Sequence, residues 1–320
     1  ANMALKMTQG ILGGPESRGG TRYGPLSRSA TEYIAWIWFG PNELADREAF
    51  FKPNEYIQAV HAATSGYRPP AVLSDLFHKE IPTPALYHNT KPEYLLTRRA
   101  ESHEVFHIGD SFTLGTAQVP HGGWMNTAYG IINWKLVMMD RDGLPAVIMG
   151  NGGMKSMTHA RGRNPFDQFL QHRSTVVQMT RVPENAEAIQ AEVGRIFEAW
   201  REDVRADFKE RWGREHTFHG KHLSNNGRGA LENARFSNVF IPESAAVAQS
   251  GAKTFLQYGG TYVALLPLSG SAPVYEERRI TDSASRGQVS GFVIEVAEGD
   301  DYASLDAFMS AFTAVRLEPD

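Results

Sequence analysis

The stretch His103-Glu-Val-Phe-His-Ile-Gly-Asp-Ser-Phe-Thr-Leu-Gly-Thr116 decides the fold. Read as a helix, its first five residues are the string His-Glu-x-x-His, which sets two histidines over one metal with the glutamate as base. Read as two strands about a turn, it opens a β protein. β-branched and aromatic residues fill Val105–Ile108 and Phe112–Thr116, and Gly109-Asp110-Ser111 between them is turn composition. The strand reading is the better one, and the zinc-protease chemistry falls with the helix. On a strand, the even spacing of His103 and His107 puts both on one face. Glu101 shares that face by the same rule, which leaves a metal open.

Working outward, the same texture continues. Ala85–His88, Tyr94–Thr97, Ile131–Met138, Ala146–Met149 and Ser174–Arg181 read as strands between turn signals. So do Phe236–Ile241, Thr254–Tyr258, Tyr262–Pro267, Val274–Ile280 and Gly291–Val296. About a dozen strands suffice for a large β-sandwich. One insertion breaks the pattern. Ile189, Val193, Ile196, Phe197, Trp200, Val204 and Phe208 form one apolar stripe of a long amphipathic helix. Ser304 to Phe312 reads as a short helix before a final strand, 313–317.

Upstream of about residue 80 the pattern is helical. Ala1 to Leu12 reads as a helix stopped by Gly13-Gly14-Pro15. A second helix runs from a cap at Ser29 or Thr31 to Phe39, a third over 54–64 behind Pro53, and a short one over 70–78. The expected fold class is α+β, mainly β. Residues 1–80 form a helical segment, and 81–320 form an antiparallel β-sandwich domain with one long inserted helix.

Composition narrows the chemistry. The chain has 320 residues, 32 basic and 36 acidic side chains and no cysteine, for a formal charge of −4. Disulfides, thiolate zinc sites and cysteine nucleophiles are excluded. A near-neutral balance argues against a nucleic-acid partner. The longest apolar run, Tyr33–Phe39, is far short of the ~20 residues of a membrane helix. Residues 1–30 lack a signal peptide's basic start and apolar run. No P-loop and no Gly-x-Ser-x-Gly elbow occurs. The 30 glycines go with turns, and the 17 Phe, 11 Tyr and 6 Trp supply residue types that line sugar sites.

Four blocks resemble the C-terminal half of heparinase II/III-like polysaccharide lyases. They are His103–Thr116, then Asn164-Pro-Phe-Asp-Gln-Phe-Leu-Gln-His-Arg-Ser-Thr-Val-Val177, and Phe255-Leu-Gln-Tyr-Gly-Gly-Thr-Tyr-Val-Ala-Leu-Leu-Pro267. The fourth is Ser290-Gly-Phe-Val-Ile-Glu-Val296 with Tyr302, Ser304 and Phe308 after it. The resemblance spans about 85–317. It implies the last helices of an α/α toroid followed by the whole sandwich, hence the C-terminal portion of a longer protein. It also implies a secreted or periplasmic enzyme that cleaves an acidic, uronate-containing polysaccharide by β-elimination. No cofactor is required by the resemblance, which is compatible with a structural divalent metal.

Such a reaction needs a group that neutralises the uronate carboxylate, a base for the C5 proton and an acid for the departing oxygen. The loop Arg18-Gly-Gly-Thr-Arg-Tyr-Gly-Pro-Leu-Ser-Arg28 has those residue types. Arg22 and Arg28 can hold a carboxylate, and Tyr23 can act as base or acid. The resemblance suggests a sandwich histidine facing the toroid, for which His103 and His107 are the nearest matches. In His121-Gly-Gly-Trp124, His121 sits beside a Trp124 ring suited to stacking on a sugar face. His172 matches a family block and is a further substrate-binding candidate. His216, His219 and His222 have a metal-binding composition, but a solvated linker is the better reading. The catalytic candidates are therefore Tyr23, His103 and His107. The binding candidates are Arg22, Arg28, His121, Trp124 and His172, with no metal ligands assigned. The expected partner is an acidic polysaccharide or oligosaccharide. A glycoside hydrolase on the same scaffold, or a non-catalytic carbohydrate-binding sandwich, stands as the alternative.

Overall fold

The computed structural model describes residues 7–8, 11–12, 63–66, 68, 70–71, 74–75, 82–92, 101–118, 134–140, 145–152, 166–188, 191, 202, 206, 209–210, 213, 235–276 and 278–317. They are mostly β, in two antiparallel sheets and one small strand pair. The large sheet contains β3 (Ala85–Pro92), β4 (Glu101–Ile108), β5 (Phe112–Gln118), β6 (Trp134–Met139) and β7 (Pro145–Gly152). It is completed by β10 (Phe236–Phe240), β14 (Val274–Glu276) and β15 (Arg279–Ser283). Its order is β14-β15-β10-β7-β6-β5-β4-β3. The small sheet contains β8 (Asp167–His172), β9 (Thr175–Arg181), β11 (Ala246–Ser250), β12 (Lys253–Tyr258), β13 (Thr261–Pro267) and β16 (Val289–Glu298). Its order is β11-β12-β13-β16-β9-β8.

The two sheets share one core. Phe112, Leu114, Trp134, Leu136, Met138, Ile148, Val239 and Ile280 of the large sheet join Val176, Leu256, Val263, Leu265, Phe292 and Ile294 of the small one. A sheet with one apolar face buries it against another, which is the layering of a sandwich. Strand β6 is buried at all six positions, so both of its faces are covered. Polar clips join the layers. The Trp134 indole N–H donates to Gln178 Oε1 at 2.7 Å, across the core. The Glu298 carboxylate accepts from the backbone N–H and hydroxyl of Ser111, at 2.7 and 3.1 Å. That fastens the turn between β4 and β5 to β16.

Asp282 is a charged clip buried almost as completely as Trp134 and Gln178, with only 1% of its surface exposed. It accepts from the backbone N–H of Gly291 at 2.7 Å, from that of Ser269 at 3.2 Å, and from the Ser269 hydroxyl. Burial pushes its carboxyl above the usual range, against the lowering effect of the bonds from Ser269, Gly291 and Ser283. An acid raised in the folded state binds its proton more tightly there than when unfolded. Its contribution is therefore greatest at low pH and falls as pH rises from the ordinary carboxylate value through the raised one. Asparagine can accept both backbone bonds and donate to Ser269 Oγ. Asp282→Asn is expected to flatten that pH slope with little loss at neutral pH. Asp282→Ala leaves the buried Gly291 N–H and the half-buried Ser269 N–H without that acceptor and is expected to cost about 2–4 kcal/mol. Urea titrations between pH 4 and 8 check both.

The helix Leu305–Phe312 matches the expected one, with Ser304 Oγ accepting from Ala307 N as its N-cap. Phe308, fully buried, packs it onto the outer face of the small sheet against Phe255 and Tyr262. Its far end is capped over a long sequence distance. The Lys253 ammonium donates to the carbonyls of Phe312, Thr313 (3.1 Å) and Val315 (2.7 Å). A cation there satisfies orphan carbonyls and opposes the helix dipole. Lys253→Met is expected to cost about 1–2 kcal/mol, read by thermal melting, with hydrogen exchange accelerated first in 305–312.

Several expectations are corrected. The helix over Ala1–Leu12 is replaced, at its described positions, by a strand pair, β1 (Met7–Thr8) and β2 (Ile11–Leu12). Gly10 weakens a helix, and a two-residue gap containing glycine suits a hairpin. Val274–Ile280 is a hairpin, with Glu276 opposite Arg279. Residues 313–317 are not a strand, because the carbonyls of Thr313 and Val315 turn to Lys253. Strands β8 and β11 had no counterpart in the sequence reading. The described positions 63–64, 74–75, 186–188, 191, 202, 206 and 209–210 are helical, in accord with the helices expected there. The expected strand Tyr94–Thr97 and the helix ending at Phe39 lie outside the described residues.

Candidate functional site: a histidine ledge beside the small sheet

The sheets differ in width, and that difference makes the site. The edge strand of the small sheet, β8, lies against β5. The buried Gln171 makes the joint. Its Oε1 accepts from Thr116 Oγ1 at 2.9 Å, and its Nε2 donates to the carbonyls of Leu114 (3.2 Å) and Arg173 (3.0 Å). Beyond β5 the large sheet continues through β4 and β3. Their core-side face therefore projects past the small sheet as a ledge.

The burial pattern follows this step. Phe112, Leu114 and Thr116 of β5 are buried. On β4 the residues of the same face are His107 and Val105, half-buried, and His103, exposed. On β3 they include Leu86, 49% exposed, and His88, also exposed. The register sets their spacing. His107 stands between Leu86 and Leu114, and His88 stands opposite Val105. His88 is thus diagonal to both His103 and His107, at roughly 7–8 Å from each. His103 and His107 are themselves about 13 Å apart along the strand. The His107 ring stacks on Phe112, with centroids 5.5 Å apart and planes 22° apart, which restrains its rotation.

This geometry settles the His-Glu-x-x-His string. It lies on a strand, and Glu104 is buried on the opposite face of β4 from both histidines. No single metal reaches His103 and His107 together at that spacing. Among the described residues no group of three or more His, Asp or Glu is placed to hold a metal ion.

Of the residues singled out from sequence, His103 and His107 do share a face, as the even spacing requires. His172 is exposed at the end of β8, on the other face of that strand from Gln171. Tyr23, Arg22, Arg28, His121 and Trp124 lie outside the described residues, as do His216, His219 and His222. His88 and Arg173 had no signal in the sequence reading. His88 joins the ledge only through the β3–β4 register, and Arg173 reaches its corner only through Gln171. Chemically, the ledge offers imidazole nitrogens that can accept and donate hydrogen bonds. Glu101, the first residue of β4, takes the same face by its even spacing from His103.

Compared with known proteins, the chain matches no protein-family model, no curated protein and no solved structure. Among the described residues no helix is long and apolar enough to cross a membrane.

Proposed function

We propose that the protein is a polysaccharide lyase-like enzyme that cleaves an acidic, uronate-containing polysaccharide by β-elimination on the β3–β4 ledge. The observation that carries this reading is the pair His103 and His107 on one accessible face, with His107 held against Phe112. The four family-like blocks fall on β4–β5, β8–β9, β12–β13 and β16 with its following helix, all elements of the two-sheet body. An edge where one sheet oversteps the other suits an extended chain, and the exposed imidazoles suit an anionic one.

In the reaction, His107 removes the proton from C5 of the uronate. The electron pair left behind forms the C4–C5 double bond, and the C4–O bond to the leaving sugar breaks. A second group, Tyr23, returns a proton to the departing oxygen, so that charge and atoms balance, while His103, about 13 Å along the strand from His107, contacts the chain at a neighbouring sugar. Arg22, Arg28, His121, Trp124 and His172 serve as substrate contacts in this reading. The helical segment before residue 80, the β1–β2 pair aside, is the end of an α/α toroid facing the sandwich. The substrate class places the protein outside the cytoplasm, secreted or periplasmic.

The test separates three outcomes. The protein is incubated with alginate, heparan-type and pectin-type chains, and reducing ends and ultraviolet absorbance are followed together. Reducing ends that appear with the absorbance of an unsaturated uronate are expected. Reducing ends without absorbance identify a hydrolase, and binding without either identifies a non-catalytic module.

A further inference from the structure

The described part of the ledge carries imidazoles but no arginine or lysine, and elimination needs a group at the His107 end that neutralises the substrate carboxylate, beside the contacts from Arg22 and Arg28. We propose that Arg173 supplies it, as a uronate-binding residue at the His107 end of the ledge. The inference rests on the lyase reading above and adds the residue that recognises the acid group.

Three observations carry it. Arg173 sits in the two-residue connection between β8 and β9, where His172 pairs with Thr175. Its φ is +51°, the sole positive value among the described non-glycine residues. Glycine takes that conformation freely and asparagine with little strain, whereas arginine meets the clash of its Cβ with the following carbonyl. Backbone strain held at an exposed turn is commonly tied to what the side chain does there. The second observation is the anchor. Gln171 Nε2 donates both to the Arg173 carbonyl and to the Leu114 carbonyl, and Leu114 is directly opposite His107. The turn backbone is thereby fixed on the order of 10 Å from His107, one strand spacing plus a shared hydrogen-bond donor. In this proposal the guanidinium reaches toward the ledge from the turn, with one sugar unit between it and the His107 imidazole. The third is access: Arg173 is exposed, and the β8 edge beside it is the wall of the step. A guanidinium fork meets a carboxylate with two parallel N–H···O bonds, which an ammonium does not reproduce.

The experiment compares wild type with Arg173→Gly and Arg173→Asn, both compatible with the left-handed turn. Binding is measured by calorimetry with oligogalacturonate, oligoalginate and heparan sulfate oligosaccharides, and with the carboxyl-reduced form of whichever binds best. Both variants are expected to melt no lower than wild type. They are expected to bind the acidic oligosaccharide about tenfold more weakly or worse, the loss of one charge-assisted fork. Wild type and variants are expected to bind the carboxyl-reduced form alike. Arg173→Lys is expected to fall between. Undiminished binding of the acidic oligosaccharide by both Arg173→Gly and Arg173→Asn overturns this inference and leaves the lyase reading standing. If wild type binds none of the acidic oligosaccharides, the lyase reading fails and this inference with it.

Discussion

Replacing Gly150 by valine is expected to force the two sheets apart at the Trp134–Gln178 clip. A Cβ at Gly150 would lie 1.9 Å from Trp134 Nε1, 2.3 Å from Trp134 Cε2 and 2.4 Å from Gln178 Oε1. These are not yielding side-chain ends. Trp134 and Gln178 are fully buried, and their 2.7 Å bond joins β6 of one sheet to β9 of the other. The indole has to leave its position, so the clash and the lost cross-core bond add. Overpacking typically costs 1–3 kcal/mol and a buried orphaned acceptor about 1–3 more. A total of about 3–5 kcal/mol takes much of the roughly 5–15 kcal/mol that holds an ordinary domain. The denaturation midpoint is expected to fall accordingly, while Gly260→Ala, whose added Cβ meets nothing within 4 Å, is expected to change little. A cycle identifies the mechanism. In a Trp134→Phe background, where the bond is already absent, Gly150→Ala is expected to cost clearly less than in wild type.

The second large effect concerns activity. His107→Ala removes the base of the proposed elimination, and general-base catalysis contributes about a hundredfold to ten-thousandfold. Turnover of the best uronate substrate is expected to drop by about that range, with the Michaelis constant changed far less. His107 is half-buried against Phe112 and its neighbours, so His107→Gln, close in size and polar, guards against a loss that is only packing. Both variants are expected to be equally inactive. His88→Ala, on the same ledge but opposite Val105, is expected to weaken binding with a smaller loss of turnover.

The sequence was legible where the signal is local. Alternation and turn residues located most of the strands of both sheets. The closing helix was legible too, and its start at Ser304 is local: the serine accepts from an N–H three residues on. Features fixed by distant partners were not legible. Nothing in Thr313–Leu317 says that its carbonyls go to Lys253, some 60 residues earlier. Strand β8 has too mixed a composition to read as a strand, and Gln171 shows why: its polar side chain is buried to bridge the layers. The hairpin at 274–283 lacks glycine or proline at 277–278, between paired Glu276 and Arg279, so it reads as one strand. The site followed the same division. The shared face of His103 and His107 is a matter of even spacing on one strand. The ledge beneath them comes from the unequal widths of two sheets, and His88 and Arg173 enter through register and a shared hydrogen bond.

The claim that the ledge receives an acidic glycan is tested most directly by following the imidazole resonances of His88, His103 and His107 during titration with the best-binding oligouronate. Movement of all three in one saturable transition, with Tyr275 at the far edge of the large sheet unmoved, is the expected result. A saturable transition that leaves the three imidazoles in place would contradict the account, because the glycan would then be bound elsewhere on the molecule.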